Sequence, residues 1–493
     1  MLKEWRCRRG LCAQAFLLLS SLVVATTAWS FPFSGKVANC DSSVFMYVAK
    51  VILRGGMPYV DTFDHKGPLL YIIDVFGLLI NERWGIWLLE WITILIVFVF
   101  AYKIARLLEC GRLASSAVVA LTMVVLYGYF EGGNFTEEYA CAFLMISLYL
   151  FLQFFRKGYT TWWRLMCCGA SFAAVCMLRI NMVALWGVMC IGVLIYNLKT
   201  HRGSKTWAFI GWFLLGVAVL LIPIVIWLWA KGALIPFVED YFGFNAMYSG
   251  DEMRASLANV AKAVKHFCVG RSLIITWPIF LYFCIRERSM VNWLCLIALV
   301  LSVLAVCISG QKYAHYGITF CPLVVYALAR FSATMEHGFF AKSKIKALHK
   351  IGMVVALVGL TGALFVRPIY HMTRDILSIP LSATVVAEEQ KIADVIKEHT
   401  DEEDLISVCG NRNAIYLLSD RMSASRYSYQ FPIADIDPSI KEEYLNDLRQ
   451  GKAKMIIVGQ DDILRKEVLE IVQNDYVLVD TIGNTELYLK EIT

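Results

Sequence analysis

Eleven long apolar runs fix what this chain can become: about 11–30, 85–108, 114–130, 138–155, 165–179, 182–198, 207–229, 273–285, 291–308, 316–331 and 351–367. A hydrocarbon core of about 30 Å takes about 20 apolar helical residues to cross, so most of these runs read as transmembrane helices. With 58% hydrophobic and only 17% charged residues and a mean hydropathy of +0.60, the 493 residues do not form a soluble globular domain. The expectation is a polytopic α-helical membrane protein with about eleven transmembrane helices, covering residues 1–367. Arg179 and Asn181 interrupt one continuous apolar stretch and mark the expected hairpin tip between the fifth and sixth helices.

Loop charge sets the expected orientation. Basic residues gather in alternate loops, at Lys3, Arg6, Arg8 and Arg9, then Lys103 to Arg112, Arg156 to Arg164, Lys199 to Lys205, and Arg330 to Lys350. By the positive-inside rule these loops are cytoplasmic, the N-terminus is cytoplasmic, and the C-terminal residues lie outside a plasma or inner membrane. The net charge of +6 is then a matter of topology, and nucleic acid is not implied. The first run also has features of a signal peptide, but it is long for one. The fifteen cysteines are dispersed mostly within spans, with no CxxC pair and no metal-ligand spacing.

The first outer loop, 31–84, carries ionisable groups at the membrane surface, where they are expensive and usually functional. Asp41 precedes a helix-like stretch ending at Gly55-Gly56, whose polar positions Ser43, Tyr47, Lys50 and Arg54 recur at helical spacing. That pattern predicts a helix lying in the interface with a narrow wet stripe. Asp41 has two readings, a helix cap and a functional carboxylate. Further on, Asp61-Thr62-Phe63-Asp64-His65-Lys66-Gly67-Pro68 leads into an apolar helix too short to span, 69–80, with Asp74 expected toward water. Lys66 stands at that helix N-terminus, where an anion is already favoured; it serves equally well as a lysine snorkelling to the interface.

The order of an Asp beyond the first span, a helix, and Gly-Gly-x-Pro-Tyr-x-Asp-x-x-Asp-His-Lys-Gly-Pro-Leu-Leu-Tyr resembles the bacterial branch of the GT-C membrane glycosyltransferases. These are the family 39 enzymes related to protein O-mannosyltransferases and the lipid A aminoarabinose transferase. The resemblance implies a GT-C fold with an extracytoplasmic C-terminal domain. It also implies inverting transfer of a sugar from a polyprenyl-phosphate carrier to an extracytoplasmic acceptor: a cell-envelope glycan, lipid or protein. By matched position Asp41 is the general base and Lys66 contacts the carrier phosphate. Asp61, Asp64 and His65 join it as acceptor- or donor-binding candidates. The chemistry is sound in its own right: a positioned carboxylate activates a weak hydroxyl nucleophile, and fixed cations stabilise a phosphate leaving group.

The resemblance also places a second acid in the next outer segment, Glu131–Glu138, where Glu137 and Glu138 are the candidates. First-turn carboxylates complementing a helix dipole, with Asn134 or Thr136 as cap, are the structural alternative. Arg179 either keeps a hairpin tip in water or completes a phosphate clamp. His315 and Tyr316 match a His-Tyr pair of the family, with His315 on phosphate or sugar, and fit an interfacial aromatic belt equally well. The loop 230–272 brings Phe237, Tyr241, Phe242, Phe244, Asn245 and Tyr248, flanked by Arg254 and Arg271, as lipid cover or anchor.

From 368 onward the composition becomes that of a soluble segment. Helix-like 384–399, 438–450 and 462–474 alternate with strand-like 405–409, 455–458, 476–482 and 486–490, which predicts an α/β domain of acceptor-recognition or docking type. Arg421, Arg426 and the tyrosines of 416–429 are expected to face the membrane. No cofactor is expected, and no dense His/Asp cluster argues for metal, although a few carboxylates suffice to hold a divalent cation loosely. The partners are the lipid-linked sugar, the acceptor and the bilayer. A ligase or polymerase of lipid-linked glycans, or a multispan transporter, are the alternatives; a transporter would show repeats and polar helices at the midplane.

Overall fold

The computed structural model describes residues 2–250, 256–270, 272–340, 362, 366–382 and 386–491. The chain forms two compact units, each assembled from three separate stretches. A helical unit takes Met1–Ala28, Leu88–Ile224 and Glu252–Leu377; the other takes Trp29–Trp87, Val225–Asp251 and Ser378–Thr493. The first outer loop therefore shares a unit with the C-terminal residues.

Among the described residues six helices have the length and apolarity to cross a membrane: Trp84–Leu107, Arg112–Phe130, Thr136–Lys157, Gly203–Ala230, Met290–Cys307 and Ala314–His337. Leu257–Val269 and Leu273–Glu287 make a seventh if their pair, bent by 76°, is one span. Leu11–Ala25, Pro68–Ile80, Trp162–Cys176 and Ala184–Lys199 are apolar but shorter. The expected run at 351–367 lies almost wholly outside the described residues, as do Arg254 and Arg271. Gly203–Ala230 has only 17% of its most apolar stretch buried, so most of its apolar surface is left uncovered by the described residues. Where it meets Trp162–Cys176 the two backbones touch: a Cβ on Gly169 would overlap the Phe213 carbonyl, and one on Gly216 the Met166 carbonyl. Glycine permits that close approach, which is how apolar helices pack without a hydrophobic driving force.

In the other unit, five strands form one mixed sheet: β1 (Leu405–Val408), β2 (Met422–Ser423), β3 (Met455–Gly459), β4 (Tyr476–Ile482) and β5 (Thr485–Lys490). The order is β2-β1-β3-β5-β4, with β1 parallel to β2 and β3, and β5 antiparallel to β3 and β4. The buried run Met455–Gly459 occupies the centre, as a strand covered on both faces should.

The Cys40–Leu53 helix does not lie wet in an interface. Ser42 to Ala49 are all buried, and the polar stripe faces the C-terminal residues instead. The Tyr47 hydroxyl accepts from Ser423 N at 2.8 Å, and its ring sits 5.0 Å from that of Tyr416. Lys50 pairs with Asp420 at 2.5 Å and Arg54 with the same carboxylate at 3.0 Å. Met46, Tyr47 and Val51 join Ile406, Ile415 and Ile457 in one apolar core. Asp74 is likewise buried rather than turned to water, because it shares a stripe with Leu70, Tyr71 and Gly77 on the packed face of its helix.

Candidate functional site

In the first loop, Asn39 rather than Asp41 caps the Cys40–Leu53 helix. Its side-chain oxygen accepts from Ser42 N at 2.8 Å with extended backbone at the cap position. Asp41 thus sits in the first turn, half-buried, with its carboxylate left over from capping. Among the described residues it has no hydrogen-bond or ion-pair partner.

The other two candidate carboxylates of this loop are occupied. Asp61 Oδ2 accepts from Met57 N at 2.7 Å and closes its own turn. Asp64, 2% exposed, takes the Tyr71 hydroxyl on Oδ2 at 2.8 Å, and His65 N at 2.8 Å and the Tyr429 hydroxyl at 3.1 Å on Oδ1. Three donors offset much of the cost of burying a carboxylate away from water. Burial and the Asp64 charge push the Tyr429 phenol well above its ordinary range, so it stays a donor.

Lys66 stands one residue before Gly67, the unaided cap of the Pro68–Ile80 helix, where Pro68 occupies the first turn. Its ammonium lies 2.8 Å from His65 Nε2 and 5.7 Å from the centre of the Phe45 ring. Because an ammonium only donates, Nε2 is the acceptor, and a neutral His65 carries its proton on Nδ1, 3.5 Å from Asp64 Oδ1. Tyr59 donates to the Lys66 carbonyl at 2.8 Å, and the Tyr71 hydroxyl, whose proton goes to Asp64, lies 3.2 Å from the same oxygen.

The aromatic residues around 237–248 cover this loop. Phe244 lies 5.2 Å from His65 and from Phe63, Tyr248 stacks on His65 at 6.0 Å, and Asn245 donates to the His65 carbonyl at 2.7 Å. Arg426 ion-pairs with Asp240 and donates to the Tyr59 carbonyl at 2.8 Å. Arg421, expected toward the membrane, is instead buried, holding the hydroxyl and carbonyl of Thr400 at 2.9 and 2.7 Å. Sequence reasoning left Asp240 and Tyr429 out of the site; no local motif marks either, since their partners are remote in the chain.

The helical unit assembles a second cluster. Arg179, at a break between helices, donates one nitrogen to Glu137 and another to the Tyr316 hydroxyl at 2.8 Å, with its guanidinium 4.2 Å from the Tyr316 ring centre. Three sequence-predicted residues thus meet in one group. The chain leaves helical geometry at Arg179, which is extended at φ −161° and ψ 115°. His315 Nδ1 lies 2.8 Å from Glu131, and its ring stacks on Phe135 at 4.2 Å. Glu131 was not among the expected site residues; its αL backbone at φ 45° ends one helix and aims its side chain at the next outer segment. Neither Asn134 nor Thr136 stands at the cap of the Thr136–Lys157 helix, which Phe135 occupies without a side-chain cap bond; Glu138 reaches back to accept from Asn134 N at 2.9 Å. Among the described residues no group of three His, Cys, Asp or Glu is placed to hold a metal ion.

The chain is similar in fold to ArnT from Cupriavidus metallidurans bound to undecaprenyl phosphate, with 14% identity and a TM-score of 0.58 over 96% of this chain and 97% of that one. It is similar also to the oligosaccharyltransferase AglB from Archaeoglobus fulgidus in complex with an inhibitory peptide and a dolichol-phosphate, with 12% identity and a TM-score of 0.55 over 98% and 74%. No curated protein sequence matches the chain. By sequence it belongs to the competence-induced Ccs4 family, whose N-terminal domain matches residues 3–382 and whose C-terminal domain matches 386–490.

Proposed function

We propose that this chain is a multi-pass cell-membrane glycosyltransferase that moves a sugar from a polyprenyl-phosphate carrier to an acceptor outside the cytoplasm. In this reading the N-terminus is cytoplasmic and the C-terminal domain extracytoplasmic, as loop charge suggests. The chemistry is the single inverting displacement of the family 39 relatives. The observation that carries it is Asp41: of the three expected loop carboxylates, Asp61 and Asp64 are committed to hydrogen bonds, and Asp41 is not. Asp41 is the general base that takes the proton of the acceptor hydroxyl. Lys66, held by fixed backbone beside a helix N-terminus, meets charge growing on the departing phosphate. In the helical unit Arg179 and His315, oriented by Glu137, Tyr316 and Glu131, are the further phosphate-binding candidates. A divalent cation, if the reaction uses one, binds loosely.

The test is release of polyprenyl phosphate from a panel of polyprenyl-phosphate monosaccharides, with membrane extract as acceptor, by wild type and Asp41→Asn. A fall of about a hundredfold or more in the variant, with donor binding kept, supports the base. Release that Asp41→Asn leaves unchanged removes Asp41 from the mechanism. Absence of both turnover and donor binding across the panel turns the reading toward a ligase of diphosphate-linked glycans.

A further inference from the structure

Both ends of the His65 residue are tied. Its N–H donates to Asp64 Oδ1 at 2.8 Å, and its carbonyl accepts from Asn245 at 2.7 Å. Its ring stacks on Tyr248 at 6.0 Å with 21° between the planes, and meets Phe244 at 5.2 Å. Aromatic contacts of this kind orient a ring as well as cover it.

That orientation decides what each ring nitrogen can do. Nδ1 is buried, 3.5 Å from Asp64 Oδ1, and Asp64 is itself fixed by the hydroxyls of Tyr71 and Tyr429. Nε2 faces the Lys66 ammonium at 2.8 Å and can only accept from it. The ring is 15% exposed, yet it has no nitrogen left to present to a sugar or a phosphate. Lys66 is the opposite case. Its ammonium carries three donors on a flexible four-carbon stem, and one of them suffices for His65. The residue is half-buried, so it is restrained without being closed off.

We propose that His65 is a positioning residue: its Nε2 holds the Lys66 ammonium in place for a lipid-linked phosphate, and the ring itself touches neither donor nor acceptor. This rests on the transferase reading, in which Lys66 meets the carrier phosphate. A lysine restrained before its ligand arrives spares the bound state an ordering cost. Freezing the rotamers of one lysine corresponds to about tenfold in affinity.

Two substitutions separate the acceptor from the ring. His65→Gln puts an amide oxygen near the place of Nε2 and gives up the ring; His65→Phe keeps the ring against Phe244 and Tyr248 and gives up the acceptor. Binding of radiolabelled undecaprenyl phosphate to the full-length protein in detergent micelles is measured for both, for Lys66→Met, and for His65→Phe combined with Lys66→Met. His65→Phe is expected to weaken binding about tenfold and His65→Gln by less than about threefold. The double variant should bind no more weakly than Lys66→Met, because His65 acts only through Lys66. Equal losses in the two His65 variants, no loss in His65→Phe, or losses that add in the double variant each overturn the proposal. Lys66→Met binding as tightly as wild type removes the phosphate role of Lys66 from the transferase reading, and this proposal falls with it. A weakened Lys66→Met beside an intact His65→Phe overturns this proposal alone. One readout needs no lipid. Nitrogen NMR of isotopically labelled histidine near neutral pH should show His65, assigned by its absence from His65→Gln, as a neutral ring protonated on Nδ1; a proton on Nε2 overturns the hold on Lys66.

Discussion

Tyr429 donates its hydroxyl to Asp64 Oδ1 at 3.1 Å across 365 residues of chain, so the C-terminal sequence completes the hydrogen bonding of a buried carboxylate of the first loop. Tyr429→Phe removes one of three donors and leaves His65 N and Tyr71 in place. A hydrogen bond to a charged group is worth about 1.5–3 kcal/mol, so unfolding stability is expected to fall by about that amount. Tyr71→Phe should cost a similar sum, and the double variant should depart from the simple total, since both hydroxyls serve one shared carboxylate. Chemical denaturation of the two single variants and the double variant checks this; strict additivity sinks the account of Asp64 as one shared, charged acceptor.

Asn39 and Asp41 separate folding from chemistry. Asn39→Ala removes the cap of the Cys40–Leu53 helix and is expected to cost about 0.5–2 kcal/mol of stability. Turnover of folded protein should persist. Asp41→Asn should do the opposite, sparing stability and stopping polyprenyl phosphate release. Measuring melting and release side by side tells the two apart, and a reversed pattern would make Asp41 the structural residue.

Much of this was readable in sequence, for reasons that particular residues make clear. Apolar length alone located the helices from 84 to 157, and the helix–strand alternation of 388–490 falls close to where 2.0 and 3.6 periodicity put it. Arg179 was marked by its charge within an apolar stretch, and Glu137 and Tyr316 by the family resemblance; the three meet. What escaped was burial by a distant partner. The stripe of Tyr47, Lys50 and Arg54 looks the same whether it faces water or Tyr416 and Asp420, because local period reports a face and not its neighbour. The short β2, two residues long, and the Ala414–Ser419 helix carry too few residues for any period to show.

Arg179 is a fork rather than a point charge in its cluster, and Lys cannot replace it. Arg179→Lys keeps the charge beside Glu137 but loses the bond to Tyr316 and much of the contact with its ring. Its expected cost is about 1–3 kcal/mol, against about 3–5 kcal/mol for Arg179→Ala, which leaves Glu137 buried and unpaired. Glu137→Gln in the alanine background should recover part of that loss by removing the orphaned charge. Denaturation midpoints of the three variants decide it; no recovery in the double variant contradicts the pairing.

Asp240 gives the fold a pH dependence of predictable sign. Burial raises its carboxyl from 3.8 to about 6, against the opposing pull of Arg426. A folded-state pKa above the unfolded value means the native state binds the proton more tightly between pH 4 and 6. The associated stability is fully present below about pH 4 and is lost as pH rises through about 6. Asp240→Asn cannot titrate, so wild type should lose stability relative to the variant, by on the order of 1–3 kcal/mol, between pH 4 and 7.5. Parallel denaturation series at the two pH values supply the measurement. Should wild type instead gain on the variant as pH rises, the ion pair with Arg426 outweighs the cost of burying the Asp240 charge, and the closure of the first loop by Arg426 is electrostatic in origin rather than enforced by packing.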